Sequence, residues 1–190
     1  MKRAKYIERN CELMQEFWFA HPQLKCKLNK IYNSSFPGSV LWDFTSDSVS
    51  SIINSWSVSV RLMWDLPRQT HRKFIESLSG VHAKTMLYSR FVKFIQSITH
   101  GEKAAPIYIY EIIKNNTQTI TGRNIKLILN ELDKRCIEKV TIEEVKSKIR
   151  LKELPEEEMW KIHLIKELTN VKQNILFIDI DNGEDILARN

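Results

Sequence analysis

The sequence has few of the residues that build loops and cross-links. Its 190 residues include five glycines and five prolines, which argues against the turn-rich architectures of many all-β proteins. The three cysteines, Cys11, Cys26 and Cys136, are widely spaced and odd in number, which argues against a disulfide framework. We therefore expect a protein of a reducing, intracellular compartment, nuclear or cytoplasmic.

Long apolar runs and short catalytic motifs are also missing. No segment approaches the roughly 18 apolar residues of a membrane span, and the basic start MKRAKYIERN is not followed by the apolar core of a signal peptide. The chain has no glycine-rich phosphate loop, no nucleophile elbow and no His-Glu-x-x-His motif. We therefore expect no contact with a membrane and no catalysis by these routes.

Two groups of residues could bind a metal ion, and both patterns are weak. Cys11, His21 and Cys26 have poor spacing for zinc and lack a fourth ligand. Asp179 and Asp181 would share one face of a strand and could hold Mg²⁺, but acidic residues beside a glycine near a terminus are more often solvated. We expect no metal and no cofactor.

Charge is distributed unequally along the chain. The formal net charge is +6, but residues 1–100 hold 14 Lys and Arg against 7 Asp and Glu, whereas residues 101–190 hold 15 against 16. A chance gradient is one explanation. The other is that the first half meets a polyanion and the second half does not. We predict a basic helical subdomain over 1–100 and a neutral helical extension over 101–190.

Hydrophobic periodicity predicts helices through most of the chain. The predicted segments are 3–19, 22–33, a helix after Ser46 or Asp47 that Pro67 stops, 71–78 with Thr70 as cap and Gly80 as terminator, 82–98, 105–115, 122–136, a short helix opened by the capping box Thr141–Glu144, and a helix carrying Trp160, Leu164, Ile165 and Leu168. In 22–33, the leucines, Ile31 and Tyr32 share one side, and the lysines are expected to point outward. We predict an all-α, irregular bundle of about eight helices with a short extended tail from Ile175.

Basic residues in the first half are interleaved with aromatic residues, a pattern typical of surfaces that contact nucleic acid. Most of these aromatic residues fall on apolar helix stripes, so core packing is their better interpretation. The residues predicted to contact phosphate are Lys25, Lys27, Lys30, Arg61, Arg68, Arg72, Lys73, Arg90 and Lys93.

The stretch MWDLPRQTHRKFIE contains the candidate catalytic residue, His71, which could act as a general base. It has no evident nucleophile partner. A structural corner between two helices, formed by Trp64, Pro67, Thr70 and His71, explains the same pattern, and nucleic-acid contact is a third explanation.

Several longer patterns carry a family resemblance. They lie at Ile31–Phe36, Gly38–Ser39, Leu41–Asp43, Asn54–His71 and Thr121–Ile125. Through them, most of residues 1–175 resembles the C-terminal region of metazoan non-LTR (LINE-type) retrotransposon proteins, downstream of the reverse-transcriptase palm.

The resemblance implies that the first helices match the thumb, which grips the template–primer duplex, and that the later helices match the C-terminal extension. In that family the palm carboxylates and the endonuclease lie upstream, so the resemblance implies an isolated fragment or remnant. No cysteine knuckle is present to carry over zinc-assisted binding.

The leading expectation is a noncatalytic module that binds the backbone of RNA or DNA without strong sequence preference. The alternative is a helical scaffold that docks on a polymerase palm or self-associates, for which we expect an exposed apolar patch on the N-terminal helices. An enzyme using His71 is the third hypothesis.

Overall fold

A computed structural model of the chain describes residues 5, 7, 9, 20–33, 36–79, 82–149 and 159–170. The helices are α1 (Pro22–Asn33), α2 (Asp47–Met63), α3 (Arg72–Ser79), α4 (Ala83–Thr99), α5 (Ala104–Ile113), α6 (Ile120–Leu132), α7 (Ile142–Ile149) and α8 (159–170), with 3₁₀ turns at Ser39–Leu41 and Ile137–Lys139. No strand occurs within these ranges. The predicted all-α fold is confirmed, and the predicted extended tail lies outside the described residues.

Helix α4 is the central element of the bundle. It contacts α2, α5, α7 and both 3₁₀ turns. Its inward stripe includes Leu87, Phe91 and Ile95, each exposed by 1% or less. These residues recur at intervals of four, so they lie on one face of the helix. The predicted helix over 82–98 is confirmed, with His82 as the N-cap whose ring nitrogen accepts a hydrogen bond from the amide of Thr85.

Contacts between the two halves of the chain also involve polar groups. The hydroxyl of Tyr88 donates to the carboxylate of Glu131 at 3.0 Å, and the side-chain amide of Gln96 donates to the backbone carbonyl of Val140 at 2.9 Å. Buried residues from both halves belong to one hydrophobic cluster. The division into two subdomains at residue 100 stays a prediction, and one hydrophobic core contains residues from both sides of that position.

Helix α2 begins and ends at features that can be read from the residues. Ser46 is the N-cap, and its hydroxyl accepts from the amide of Val49, which confirms one of the two predicted caps. The helix ends at Met63, four residues before Pro67. Asp65 adopts φ 51°, and the amide of Leu66 donates to the carbonyl of Arg61 at 2.9 Å. This is a Schellman closure, so the chain has already left the helix when it reaches the proline.

The bounds of α1 are confirmed, and Lys27 and Lys30 point outward as predicted, but the prediction is wrong for Lys25. Leu24 and Ile31 are 49% and 68% exposed, whereas Lys25 and Asn29 are 8% and 1% exposed. The amide of Asn29 donates to the hydroxyl of Ser59 on α2 at 3.2 Å. The reason is that the buried Ser59 of α2 faces this helix and offers a polar partner, which favours Asn29 there over an apolar side chain.

The start of α3 lies one residue later than predicted. The amides of Phe74 and Ile75 both donate to the carbonyl of His71, which places His71 and not Thr70 at the N-cap. Thr70 instead closes the preceding turn, where its amide donates to the carbonyl of Pro67 at 3.0 Å. The predicted terminator, Gly80, lies outside the described residues.

The start of α7 agrees with the predicted capping box, whereas most of the predicted apolar face of α8 is exposed. The capping box of α7 is confirmed, because Thr141 and Glu144 each accept a hydrogen bond from the other's backbone amide, at 3.1 and 2.9 Å. In α8, Trp160 and Leu168 are each 58% exposed, while Ile162 is 4% exposed. Of the residues predicted to form the apolar face of this helix, Trp160, Leu164 and Leu168 are therefore exposed, whereas Ile165 packs partly against the core.

Gly122 lies where α6 meets the turn before it. A Cβ atom at Gly122 would stand 2.1 Å from the carbonyl oxygen of Asn116 and 3.0 Å from that of Ile113. These neighbours are backbone atoms and cannot rotate away. The close approach, and not a special φ angle, is what requires glycine inside this helix.

We expect Gly122→Ala to destabilise the fold by about 2–3 kcal/mol through steric overlap. Helix propensity alone would predict a gain of about 1 kcal/mol. The matched control is Asn130→Ala, at an exposed position of the same helix, which should be neutral or stabilising by about 0.5 kcal/mol. Urea unfolding measures both. A Gly122→Ala protein as stable as the parent would contradict the close approach.

Candidate functional site

Two of the predicted phosphate contacts, Arg90 and Lys93, line the same cleft. They lie three residues apart on α4, so both project from one face of the helix. The cleft lies between this face and the turn at 36–40, and its volume is about 460 Å³. We call it the α4 cleft. Its lining consists of Phe36, Pro37, Gly38, Ser39, Val40, Arg90, Lys93, Phe94 and Ser97.

Arg90 is held against an aromatic face. Its guanidinium carbon lies 5.6 Å from the centroid of the Phe36 ring, within the range of a cation–π contact. Burial lowers the pKa of Arg90, but an arginine stays protonated at neutral pH. A partly desolvated cation attracts an anion more strongly than one in bulk water, because the local dielectric is lower.

The lining of the cleft contains no carboxylate. From residue 77 to residue 101 the sequence has no Asp or Glu, so α4 itself supplies none. Lys93 is exposed, and within the described ranges no acidic group comes within ion-pair distance of it. The α4 cleft can therefore receive an anion without first breaking an ion pair of Lys93.

The second wall of the cleft depends on unusual backbone angles. Gly38 has φ 69°, which glycine adopts without strain. Phe36 has φ 29°, which is uncommon for a residue with a side chain. Its ring is 1% exposed, packs edge-on against Trp42 at 5.9 Å, and lies tilted against Trp56 at 6.1 Å. This burial offsets the backbone strain and keeps the turn in place.

A buried amide ties this wall to the rest of the bundle. Asn124 on α6 is 0% exposed. Its Nδ2 donates to the carbonyl of Trp42 at 2.7 Å, and its Oδ1 accepts from the amide of Phe44 at 2.9 Å. Beside it, Arg123 forms an ion pair with Asp43 at 2.7 Å. Two of the patterns that carry the family resemblance, Leu41–Asp43 and Thr121–Ile125, thus meet in space.

The other predicted phosphate contacts occupy different environments. Lys25 is mostly buried, which removes it from the accessible set. Lys27 and Lys30 are exposed on α1, and Arg68 is exposed in the turn before α3. The Nε atom of Arg61 is buried.

Arg72 already has an acidic partner. Its Nε lies 2.7 Å from Glu76, which also lies 2.9 Å from Nε2 of His82. Any phosphate bound by Arg72 would compete with this pair. The side chain of Lys73 lies outside the described part of the chain.

The predicted corner residues are placed by backbone geometry. Trp64 is 6% exposed, and its ring meets that of His21 edge-on at 6.3 Å. Pro67 is exposed, Thr70 is half-buried, and the imidazole of His71 is exposed and outside the α4 cleft. The carbonyl of His71 accepts the first hydrogen bonds of α3.

Sequence reasoning missed the residues that hold the cleft together. Asn124 and Gly122 were part of a family-like pattern, but nothing in their spacing indicated an amide bridge or a close backbone approach. Ser97 was missed as well, although its position seven residues after Arg90 places it on the same face of α4. That spacing is the one signal that could have identified it.

Of the residues considered for metal binding, His21 and Cys26 are described, whereas Cys11, Asp179 and Asp181 lie outside the described residues. No group of three His, Cys, Asp or Glu side chains converges within the described ranges. Burial raises the pKa of the Cys26 thiol to about 11. Cys26 is therefore a protonated thiol at neutral pH and a poor zinc ligand.

No protein-family model matches the chain, and searches of curated proteins and of solved structures found no match. Among the helices that can be described, none has the length and apolar character required to span a membrane.

We expect Asn124→Ala to cost about 3 kcal/mol of stability, because it leaves the amide of Phe44 and the carbonyl of Trp42 without their partner. Arg123→Ala removes only a partly exposed ion pair from the same wall and should cost less than about 1 kcal/mol. Chemical denaturation of the two variants tests this ranking. Equal and small effects would show that the amide bridge is unimportant.

The Asp43 carboxylate predicts an acid-dependent loss of stability. The Thr45 hydroxyl, 2.6 Å away, and then Arg123 lower the pKa of Asp43. Its folded pKa is thus below the unfolded value of about 3.9. The contribution is fully present above that value and is lost as pH falls through the folded pKa. Unfolding of the parent and of Asp43→Asn should differ at pH 7, and the difference should shrink as pH falls below about 3.9. A constant difference would contradict this.

Proposed function

We propose that the chain is a noncatalytic accessory module that binds nucleic acid through its phosphate backbone, similar to the thumb and C-terminal region of a non-LTR retrotransposon reverse transcriptase. The observation that carries the proposal is the α4 cleft, where Arg90 and Lys93 converge in a lining without a carboxylate. Basic side chains that neutralise phosphates release counterions, which drives binding of any sequence.

The distribution of the other cations supports the same proposal. Exposed basic residues lie on α1, in the turn before α3 and on α4, all within the half of the chain that has a surplus of positive charge. Phosphate contacts fix position and carry no sequence information by themselves. The proposed partner is therefore RNA or DNA, with little sequence preference, in an intracellular compartment.

A scaffold function is the second candidate, and exposed apolar side chains favour it. On α5, Tyr108, Ile109 and Ile112 are 70%, 56% and 58% exposed. A patch of this kind is expected on the N-terminal helices, where Leu24 and Ile31 are exposed. Docking on a polymerase palm or self-association would cover surfaces of this kind.

The proposed function predicts strongly salt-dependent binding. If Lys27, Lys30, Arg68, Arg90 and Lys93 each neutralise one phosphate, log K should fall with log salt with a slope of about −3.5 for a single strand. Affinity should then drop about 100-fold between about 50 and 200 mM salt. Fluorescence anisotropy with labelled RNA and DNA oligonucleotides of two unrelated sequences measures this.

Affinities for the two sequences should agree within about threefold, because the contacts are to the backbone. Binding that is insensitive to salt, or no binding at the lowest salt, would overturn the proposal. Self-association with rising protein concentration and no nucleic-acid binding would favour the scaffold.

A further inference from the structure

The shape of the α4 cleft limits what it can hold. One wall is a single face of α4, with Arg90, Lys93, Phe94 and Ser97 at helical spacing, and the other is the turn from Phe36 to Val40. Its volume of about 460 Å³ lies in the range of sites for small molecules. A site of this size has room for one nucleotide, whereas a base stacked inside a duplex cannot turn its face toward it.

The cleft has a polar part and an apolar part. Arg90 and Lys93 supply two positive charges, and no acidic residue lies in the lining. Pro37, Val40 and Phe94 supply apolar surface within the same space. A nucleotide has the matching division, since its phosphate is anionic and its base presents an apolar face that packs on aromatic and aliphatic groups.

Gly38 borders the open space of the α4 cleft, and Phe36 supports the charged side chain of Arg90. A Cβ atom at Gly38 would meet nothing within 4 Å, so this part of the turn borders open space. The ring of Phe36 is 1% exposed and lies under the Arg90 guanidinium. Phe36 therefore supports Arg90 and is not itself a surface on which a base can stack.

We infer that the α4 cleft holds a single unpaired nucleotide, with its phosphate at Arg90 and Lys93 and its base against Pro37, Val40 and Phe94. This inference rests on the proposed function and goes further, because it assigns the module a preference for single strands or strand ends over continuous duplex. Other exposed cations would then contact the neighbouring phosphates.

The test compares a single-stranded decanucleotide with the duplex of the same sequence at one salt concentration. The single strand should bind about tenfold more tightly, the lower part of the range for stacking of one base. Val40→Met fills part of the cleft without changing any charge or adding an aromatic ring, and should weaken this preference while leaving salt-dependent duplex binding. Ser97→Met, at an exposed position on the opposite wall, fills the same space if Val40→Met fails to fold.

Charge is tested separately with a matched pair. Lys93→Glu should weaken single-strand binding about tenfold. Lys126→Glu makes the same change of charge at an exposed position on α6, outside the cleft, and should have less than about a threefold effect.

Adenosine 5′-monophosphate is the direct probe. In an NMR titration it should shift the backbone amides of Gly38, Val40 and Ser97, and inorganic phosphate should bind about tenfold more weakly because it lacks the base. An oligoglutamate peptide that shifts the same amides as strongly as the nucleotide would overturn the assignment to nucleotides.

The outcomes separate the inference from the proposed function. Salt-dependent binding with equal affinity for single strand and duplex, or a preference unchanged by both cleft-filling variants, overturns the inference and leaves the function intact. No binding of either oligonucleotide at low salt overturns both.

Discussion

The buried side chain of Asn124 connects parts of the molecule that are about 80 residues apart in sequence. It accepts from the amide of Phe44 and donates to the carbonyl of Trp42, so both backbone groups find partners inside the protein. A hydrogen-bonded amide of this kind permits one register of the loop on α6, because any other register would leave buried polar groups unpaired. Phe44 is thereby placed on α4, where its ring stacks on Tyr88 at 5.2 Å and meets Phe91 edge-on at 5.5 Å.

The α4 cleft is a consequence of that constraint. Once the segment from Trp42 to Phe44 is anchored, the preceding turn must cross α4. The buried ring of Phe36 fixes the distance between this turn and the helix. Arg90 then lies over that ring. One wall of the cleft belongs to a rigid helix, and the other is held by a hydrogen-bonded anchor, so the positions of its two cations are defined before any ligand arrives.

Basic residues that look alike in the sequence have different roles in the fold. Lys84 forms an ion pair with Glu131 at 2.6 Å, and Arg72 forms one with Glu76. These cations join helices or stiffen one, and their charge is largely balanced. Lys93, nine residues after Lys84 on the same helix, projects instead into a lining without acidic groups. The surplus charge of the first half of the chain is therefore concentrated at fewer positions than the count of basic residues suggests.

The sequence by itself determined which segments are helical, and it located several helix ends. Ser46, the Thr141–Glu144 box and the segment 22–33 were predictable because capping and periodicity act within a few residues. The burial of individual residues in α1 and α8 was not predictable in this way. Amphipathic patterns show that a helix has two faces, but not which neighbour each face meets. The tertiary structure alone decided that Lys25 lies inside, that Arg90 and Lys93 share a cleft, and that Asn124 anchors its wall. Those outcomes depend on contacts between residues distant in sequence, which local propensity does not encode.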